Sequence, residues 1–270
     1  MITLRKSTLI LLSFFVLFVA KAEDGVMIVS KTKTLNSGKV SKSEIFLTKN
    51  KLRLNNSGSD NSSVMFDANT EVFTFIDNNR KEYYEFDKPT LMALKQQIKM
   101  MAKMMQQFSA QMPADQKKKF DRILNPDGQP IIAYSATGKS SKVGKWKTTG
   151  YEGKSENVKV MELNIASYNT LKIQESNFNV MKVMMDYFKE NLQEVITLLP
   201  SGGSFSQLSF DDDSPIMKDG IPVKTVSYKE GKAENENVIE SIVKKDVDAG
   251  MFKVPTGYKR QEINIQSMGR

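Results

Sequence analysis

Short segments rich in Val, Ile, Phe and Tyr recur through the first third of this chain at intervals of about ten residues. Gly, Asn, Ser and Asp clusters part them, and no helical stretch intervenes. This pattern constrains the fold most, because strands that follow one another without a crossover pair antiparallel. The spacing predicts strands at 26–34, 42–48, 51–55, 62–67, 71–77 and 81–87. Asn78-Asn79 joins the last two, since asparagine tolerates the positive φ of a tight hairpin turn.

The period changes at Pro89. From 90 to 112, Leu91, Leu94, Ile98, Met101, Met105, Phe108 and Met112 fall at alternating three- and four-residue steps, the signature of one helix face. Met100 and Met104 are expected to widen that arc to roughly half the helix, with Lys95, Lys99 and Lys103 on the far side. Pro113 ends the segment, and a short helix at 114–124 stops at Asn125-Pro126-Asp127-Gly128. Strands resume at 131–137, 142–149 and 158–166. A further amphipathic helix at 177–199 places Phe178, Val180, Met181, Met184 and Phe188 inward, and Pro200-Ser201-Gly202-Gly203 breaks it. A hairpin of 221–229 and 237–245 closes the chain. No repeat and no long linker demands a second domain, so the expectation is one α+β domain built on an antiparallel sheet.

Residues 1–22 have the layout of a signal peptide. Arg5 and Lys6 precede an apolar core at 7–20, and Ala20-Lys21-Ala22 supplies small residues at the cleavage positions. The core is shorter than the roughly 20 residues a membrane span needs; a retained anchor is the alternative. No Cys follows the site, which excludes the lipid-modified type of leader. The expected product starts near Glu23 and is periplasmic or secreted, and not a lipoprotein.

Two absences limit the chemistry. Without Cys there is no disulfide, thiolate nucleophile or thiolate metal site, so the core alone must hold the fold. Without His there is no imidazole base and no Ser-His-Asp triad. No catalytic residue, cofactor or metal is therefore assigned. Removing Arg5, Lys6 and Lys21 with the leader leaves 36 basic against 31 acidic residues. That balance suits an anionic membrane surface, and equally a solvated surface of interspersed charges. Nucleic acid does not fit the expected compartment.

Several motifs are set aside. Residues 133–140, with Thr137-Gly138-Lys139-Ser140, have the spacing of a phosphate-binding loop, but β-formers follow where that loop needs a helix. Ser30-x-x-Lys33 and Ser241-x-x-Lys244 lie in strand patterns, where residues three apart face opposite sides. Asp211-Asp212-Asp213 lacks the Gly and distant Glu of a calcium loop. The methionines at 92, 100, 101, 104, 105 and 112 admit a packed core, an adaptable lipid or partner surface, or copper(I) ligation; the missing His counts against the last.

Thr137-Gly138-Lys139, Val143-Gly144-Lys145-Trp146-Lys147, Tyr151 and the string Val160 to Ala166 resemble an uncharacterised bacterial envelope family. So do Asp219-Gly220-Ile221-Pro222-Val223-Lys224 and the string Val247 to Tyr258. That family is grouped with the LolA-like and LolB-like lipoprotein carriers. The match runs in order over most of 25–260. It departs from the family in lacking a Cys after the Gly-Lys-Trp segment and a Trp where Leu163-Asn164-Ile165 stands.

The resemblance implies a strongly curved antiparallel sheet, a half-barrel over 23–270, with amphipathic helices covering its concave face and a helical insertion at about 89–125. In the carriers the space between sheet and helices receives acyl chains. Residues expected to line such a space are Phe73 and Phe75 on strands, Met92, Ile98, Met101, Met104, Met105 and Phe108 on the first helix, Trp146, and Met184 and Phe188 on the later helix. The expected activity is non-enzymatic binding of a lipid, lipoprotein or other apolar ligand. The alternative is an envelope interaction or stress module whose helices fill its own core.

Overall fold

The computed structural model describes residues 22–58, 61–106, 132–191 and 214–263. Six strands open it: β1 (Ala22–Thr34), β2 (Val40–Leu47), β3 (Lys51–Ser57), β4 (Ser62–Asp67), β5 (Val72–Asp77) and β6 (Glu82–Phe86). Helix α1 (Lys88–Gln106) follows, then β7 (Ala133–Val143), β8 (Trp146–Ser155) and β9 (Val158–Ala166). A single turn α2 (Tyr168–Leu171) and a 3-10 turn (Glu175–Phe178) lead into α3 (Asn179–Asn191). The long hairpin β10 (Ile221–Lys229) and β11 (Lys232–Asp248) precedes a 3-10 turn (Ala249–Phe252) and the two-residue β12 (Lys259–Arg260).

All twelve strands form one sheet, ordered β12-β6-β5-β4-β3-β2-β1-β11-β10-β9-β8-β7. It consists of two antiparallel meanders, β1 to β6 and β7 to β11. They are joined where β1 pairs with β11, from Ala22 opposite Asp248 to Thr34 opposite Asn235. Only β12 is parallel to its neighbour, β6. The sheet is large and open, with few helices among the described residues.

The expected strands are present, with differences that have local causes. The break placed after 137 is a bulge inside β7, where Gly138 takes a φ of 69° and pairing resumes at Ser140 opposite Thr149. The true hairpin turn is at Gly144, with a φ of 56°. β11 starts at Lys232 and not 237, because Glu230 and Gly231, both at positive φ, close the hairpin earlier. The phosphate-loop-like string is strand throughout. Residues 1–21, the 114–124 helix, the end of the 90–112 helix, residues beyond Asn191 and the Asp211-Asp212-Asp213 run lie outside the described residues. Among the described residues, no helix is long and apolar enough to cross a membrane; this says nothing of strands.

The register aligns residues into rows across the strands. Val26, Leu47, Leu52, Phe66, Phe73 and Phe86 are successive cross-strand partners from β1 to β6, and all are buried. Leu91 and Leu94 of α1 and Val180, Met185 and Tyr187 of α3 join the same core, with the Phe66 and Tyr187 rings 5.6 Å apart. Asp87 starts α1 by accepting from the Thr90 N–H at 2.8 Å, which satisfies one of the helix's free donors. Trp146 lies eight strands along the sheet from Phe73, yet both belong to this one core.

The opposite face of the first meander is covered too. Phe46, Met65, Thr74 and Ile76 point there and are buried. The chain after β11 crosses this face as a strap before pairing with β6. Arg53 clasps it: Nη1 donates to the Met251 carbonyl at 2.5 Å and to the Lys253 carbonyl at 3.4 Å, while Nε donates to Asn55 Oδ1 at 2.7 Å. Lys259 and Gln261 donate backbone N–H bonds to Lys81 and Tyr83 at 3.0 and 2.9 Å.

Candidate functional site

The row next to the buried one is also apolar, but its burial fades. Ile28, Ile45, Leu54, Val64, Phe75 and Tyr84 are successive partners across β1 to β6. Ile28 and Val64 are buried, Ile45, Leu54 and Tyr84 are half-buried, and Phe75 is 37% exposed. Phe75 and Tyr84 form a tilted ring pair at 6.4 Å at the β5–β6 end. The third row is polar throughout: Ser30, Ser43, Asn56, Ser62, Asp77 and Glu82. Ser43 donates to Asn56 at 2.8 Å, and Asn56 to Ser62 at 3.5 Å. The core face therefore grades from a helix-covered floor, through a half-open apolar shelf, to a hydrogen-bonded polar rim.

Alternation along each strand makes this grading. Residues two apart share a face, so Phe73 and Phe75 both point inward. Only Phe73, beside Phe86 at 6.4 Å, reaches the covered row.

The expected lining residues separate. Phe73 and Trp146 are buried core, and Met184 is half-buried against the core. Met92 and Met104 are 58% and 62% exposed, so they line no interior space, and the expected widening of the apolar arc is corrected. At about 100° per residue, Met100 falls opposite Leu91, and Met104 lies close beside it. The placement of Ile98, Met101, Met105 and Phe188 side chains, and of Phe108, lies outside the described residues.

Among the described residues, the helices cover one row rather than the whole face, and Tyr187 fills the position expected for a deep ligand. Its hydroxyl donates to the Phe86 carbonyl at 3.5 Å, and burial pushes its pKa up to about 12. A cavity of about 370 Å³ lies instead on the opposite face, between the sheet and the strap. Its walls include Lys51, Met65, Val72, Glu85, Phe252 and Val254. Among its charged groups, Lys51 pairs with Asp67 at 3.4 Å and Glu85 with Arg260 at 3.2 Å.

Sequence reading missed Arg53 and the strap. Arg53 lies 198 residues from Met251, a separation no local signal reports. Burial lowers the guanidinium's pKa, the cost of placing this charge beneath the strap. Among the described residues, no group of three or more Asp or Glu side chains is arranged to hold a metal ion.

No family model matches this chain, and no curated protein does. Among solved structures, it is similar to an uncharacterized conserved protein from Thermus thermophilus (TM-score 0.46, 6% identity, 90% of this chain and 91% of that one). It is also similar to the Pseudomonas aeruginosa MucA/MucB complex (0.39, 9%, 89% and 58%). A third likeness is to the LolA superfamily protein NE2245 from Nitrosomonas europaea (0.28, 6%, 87% and 91%). The chain spans about a third of PNGF-II, another similar structure. At scores this low, the similarity carries neither a family assignment nor a residue role.

Proposed function

We propose that this protein is a non-enzymatic binding module of the cell envelope or exterior. It seats the apolar part of a lipid, lipoprotein or similar amphipathic ligand on the Ile45–Leu54–Phe75–Tyr84 shelf. The observation that carries this reading is the grading of the core face. A shelf that ends in a half-open aromatic pair and runs beside a polar row matches a ligand with an apolar body and a polar head. The absence of His and Cys supports a binding role over catalysis. The resemblance to lipoprotein carriers supports the ligand class, and the leader supports the compartment.

The filled floor under Tyr187 favours shallow seating over a deep acyl slot. It also supports the second reading, an interaction module with a self-filled core, in which the shelf takes apolar side chains of a protein. Native mass spectrometry of gently purified protein and displacement of a fluorescent fatty acid separate the two. On the first reading a lipid co-purifies, and the probe's affinity falls about tenfold in Phe75→Ser/Tyr84→Ser while the melting temperature drops by a few degrees at most. No co-purified lipid together with no probe binding refutes the lipid reading.

A further inference from the structure

Among the described residues, β7 has no strand on its outer side, and the hairpin it belongs to is rich in lysine. β7 is the last strand of the order, and every residue in it except Tyr134 and Val143 is exposed. From residue 133 to 151, the β7–β8 hairpin contains Lys139, Lys142, Lys145 and Lys147 and no acidic residue. Lys142 stands directly opposite Lys147 across the ladder. None of the four makes an ion pair with a described residue; Lys145 instead lies over the Trp146 ring, 5.4 Å from its centroid. Like charges placed opposite each other cost stability. A hairpin that keeps them unneutralised presents a concentrated positive field.

We infer that β7 is a docking edge for an extended acidic peptide segment, which adds to the sheet as a further antiparallel or parallel strand. An edge strand offers a row of unpaired backbone N–H and C=O groups, and strand addition uses them for affinity. From Ser140 to Val143 the ladder with β8 is in regular register, so the outer edge of that stretch is straight. The hairpin is also fixed from within. Ser141 and Thr148 hydroxyls are 2.9 Å apart, and Asn164 of β9 donates to Ser141 at 2.9 Å. Such an edge costs little ordering on binding.

The lysines decide which strand is accepted. A second copy docking through its own β7 would bring one four-lysine hairpin against another, and the Thr137–Lys139 bulge also disfavours that pairing. A strand bearing Glu or Asp would relieve the Lys142–Lys147 repulsion as it docks. A lipid headgroup could answer the charge but not the row of backbone groups. This edge lies at the opposite end of the sheet from the Phe75–Tyr84 shelf, so its failure and that of the lipid reading are independent.

The test is fluorescence anisotropy with a labelled synthetic peptide of alternating Glu and Val, titrated with the purified protein. The expected result is saturable binding that weakens with salt, and at least about tenfold weaker binding of the Lys/Val counterpart. The same acidic peptide with alternate backbone nitrogens methylated keeps its charge but cannot join a ladder, and its affinity is expected to fall about as far. Lys142→Glu/Lys147→Glu abolishes binding of the acidic peptide, whereas Lys229→Glu/Lys232→Glu, on the β10–β11 turn, leaves it within about twofold. Equal affinity for the methylated peptide overturns strand addition. So does retention of binding by Lys142→Glu/Lys147→Glu. Charge-dependent binding to vesicles of equimolar phosphatidylglycerol and phosphatidylcholine without peptide binding overturns the proposal in favour of a membrane surface.

Discussion

The two meanders share one sheet and one alternating pattern, yet they are held very differently. Strands β2 to β6 are clamped from both sides, by α1 and α3 on the core face and by the strap on the other. Strands β7 and β8 end the sheet with a nearly bare outer strand. The clamped meander is scaffold, with a half-buried apolar shelf where the cover by the described helices stops. The bare one exposes backbone, and its chemistry is set by surface charge. The largest difference should appear on cutting into each. Phe66→Ala, beneath Tyr187, is expected to cost about 3–5 kcal/mol. Ser135→Ala in β7 should stay within about 0.5 kcal/mol. Urea denaturation midpoints compare the two, and similar losses would break the contrast.

Removing the clasp sharpens it next. Arg53→Ala strips bonds from the Met251 and Lys253 carbonyls, and is expected to cost about 1–3 kcal/mol. Hydrogen exchange should quicken first at the Lys259 and Gln261 amides, which pair the strap to β6. Arg53→Lys should rescue little, since one ammonium cannot serve the carbonyls and Asn55 together. Unchanged protection at those amides would mean that β12 holds without the clasp.

The start of α1 gives a smaller, pH-dependent effect. Side-chain and backbone hydrogen bonding to Thr90 holds the Asp87 carboxyl below its ordinary pKa of 3.8. The charged cap's contribution is therefore complete above that ordinary value and is lost as the pH falls through the lower folded value. Asp87→Ala is expected to cost about 1 kcal/mol near neutrality. Asp87→Asn should retain most of the cap while losing this acid-side dependence. Melting curves between neutral pH and the acid range check both, and an identical acid slope in Asp87→Asn would remove Asp87 as its source.

The same contrast explains what was legible in the sequence. Strand alternation and turn residues are local, so 62–67, 158–166 and 221–229 stand where the pattern put them. Gly138-Lys139-Ser140 reads locally as a turn, but pairing with β8 on both sides makes it a bulge. Apolar spacing counts Met100 and Met104 as inward, because hydrophobicity alone does not say how far a neighbouring sheet extends over a helix. The strap is harder still: Arg53 and Met251 meet only through tertiary structure. The graded shelf is a property of register among six strands, since one strand shows only that Phe73 and Phe75 share a side.

The finest test is the sign of charge across the ladder. In the clamped meander, Lys51 faces Asp67 as a register partner and bridges it at 3.4 Å. In the edge hairpin, Lys142 faces Lys147. Opposite charges across a ladder contribute roughly 0.2–1 kcal/mol, and like charges cost a similar amount. Lys147→Glu should therefore stabilise by up to about 1 kcal/mol, or about 2–4 °C in a domain of this size. Asp67→Lys should destabilise by a comparable amount. Salt separates this from packing, because screening relieves repulsion and weakens attraction. Added sodium chloride should favour the native protein relative to Lys147→Glu, and favour Asp67→Lys relative to the native protein. If Lys147→Glu destabilises at every salt concentration, the edge lysines have local packing partners, and the repulsion that makes β7 receptive to an acidic strand is absent.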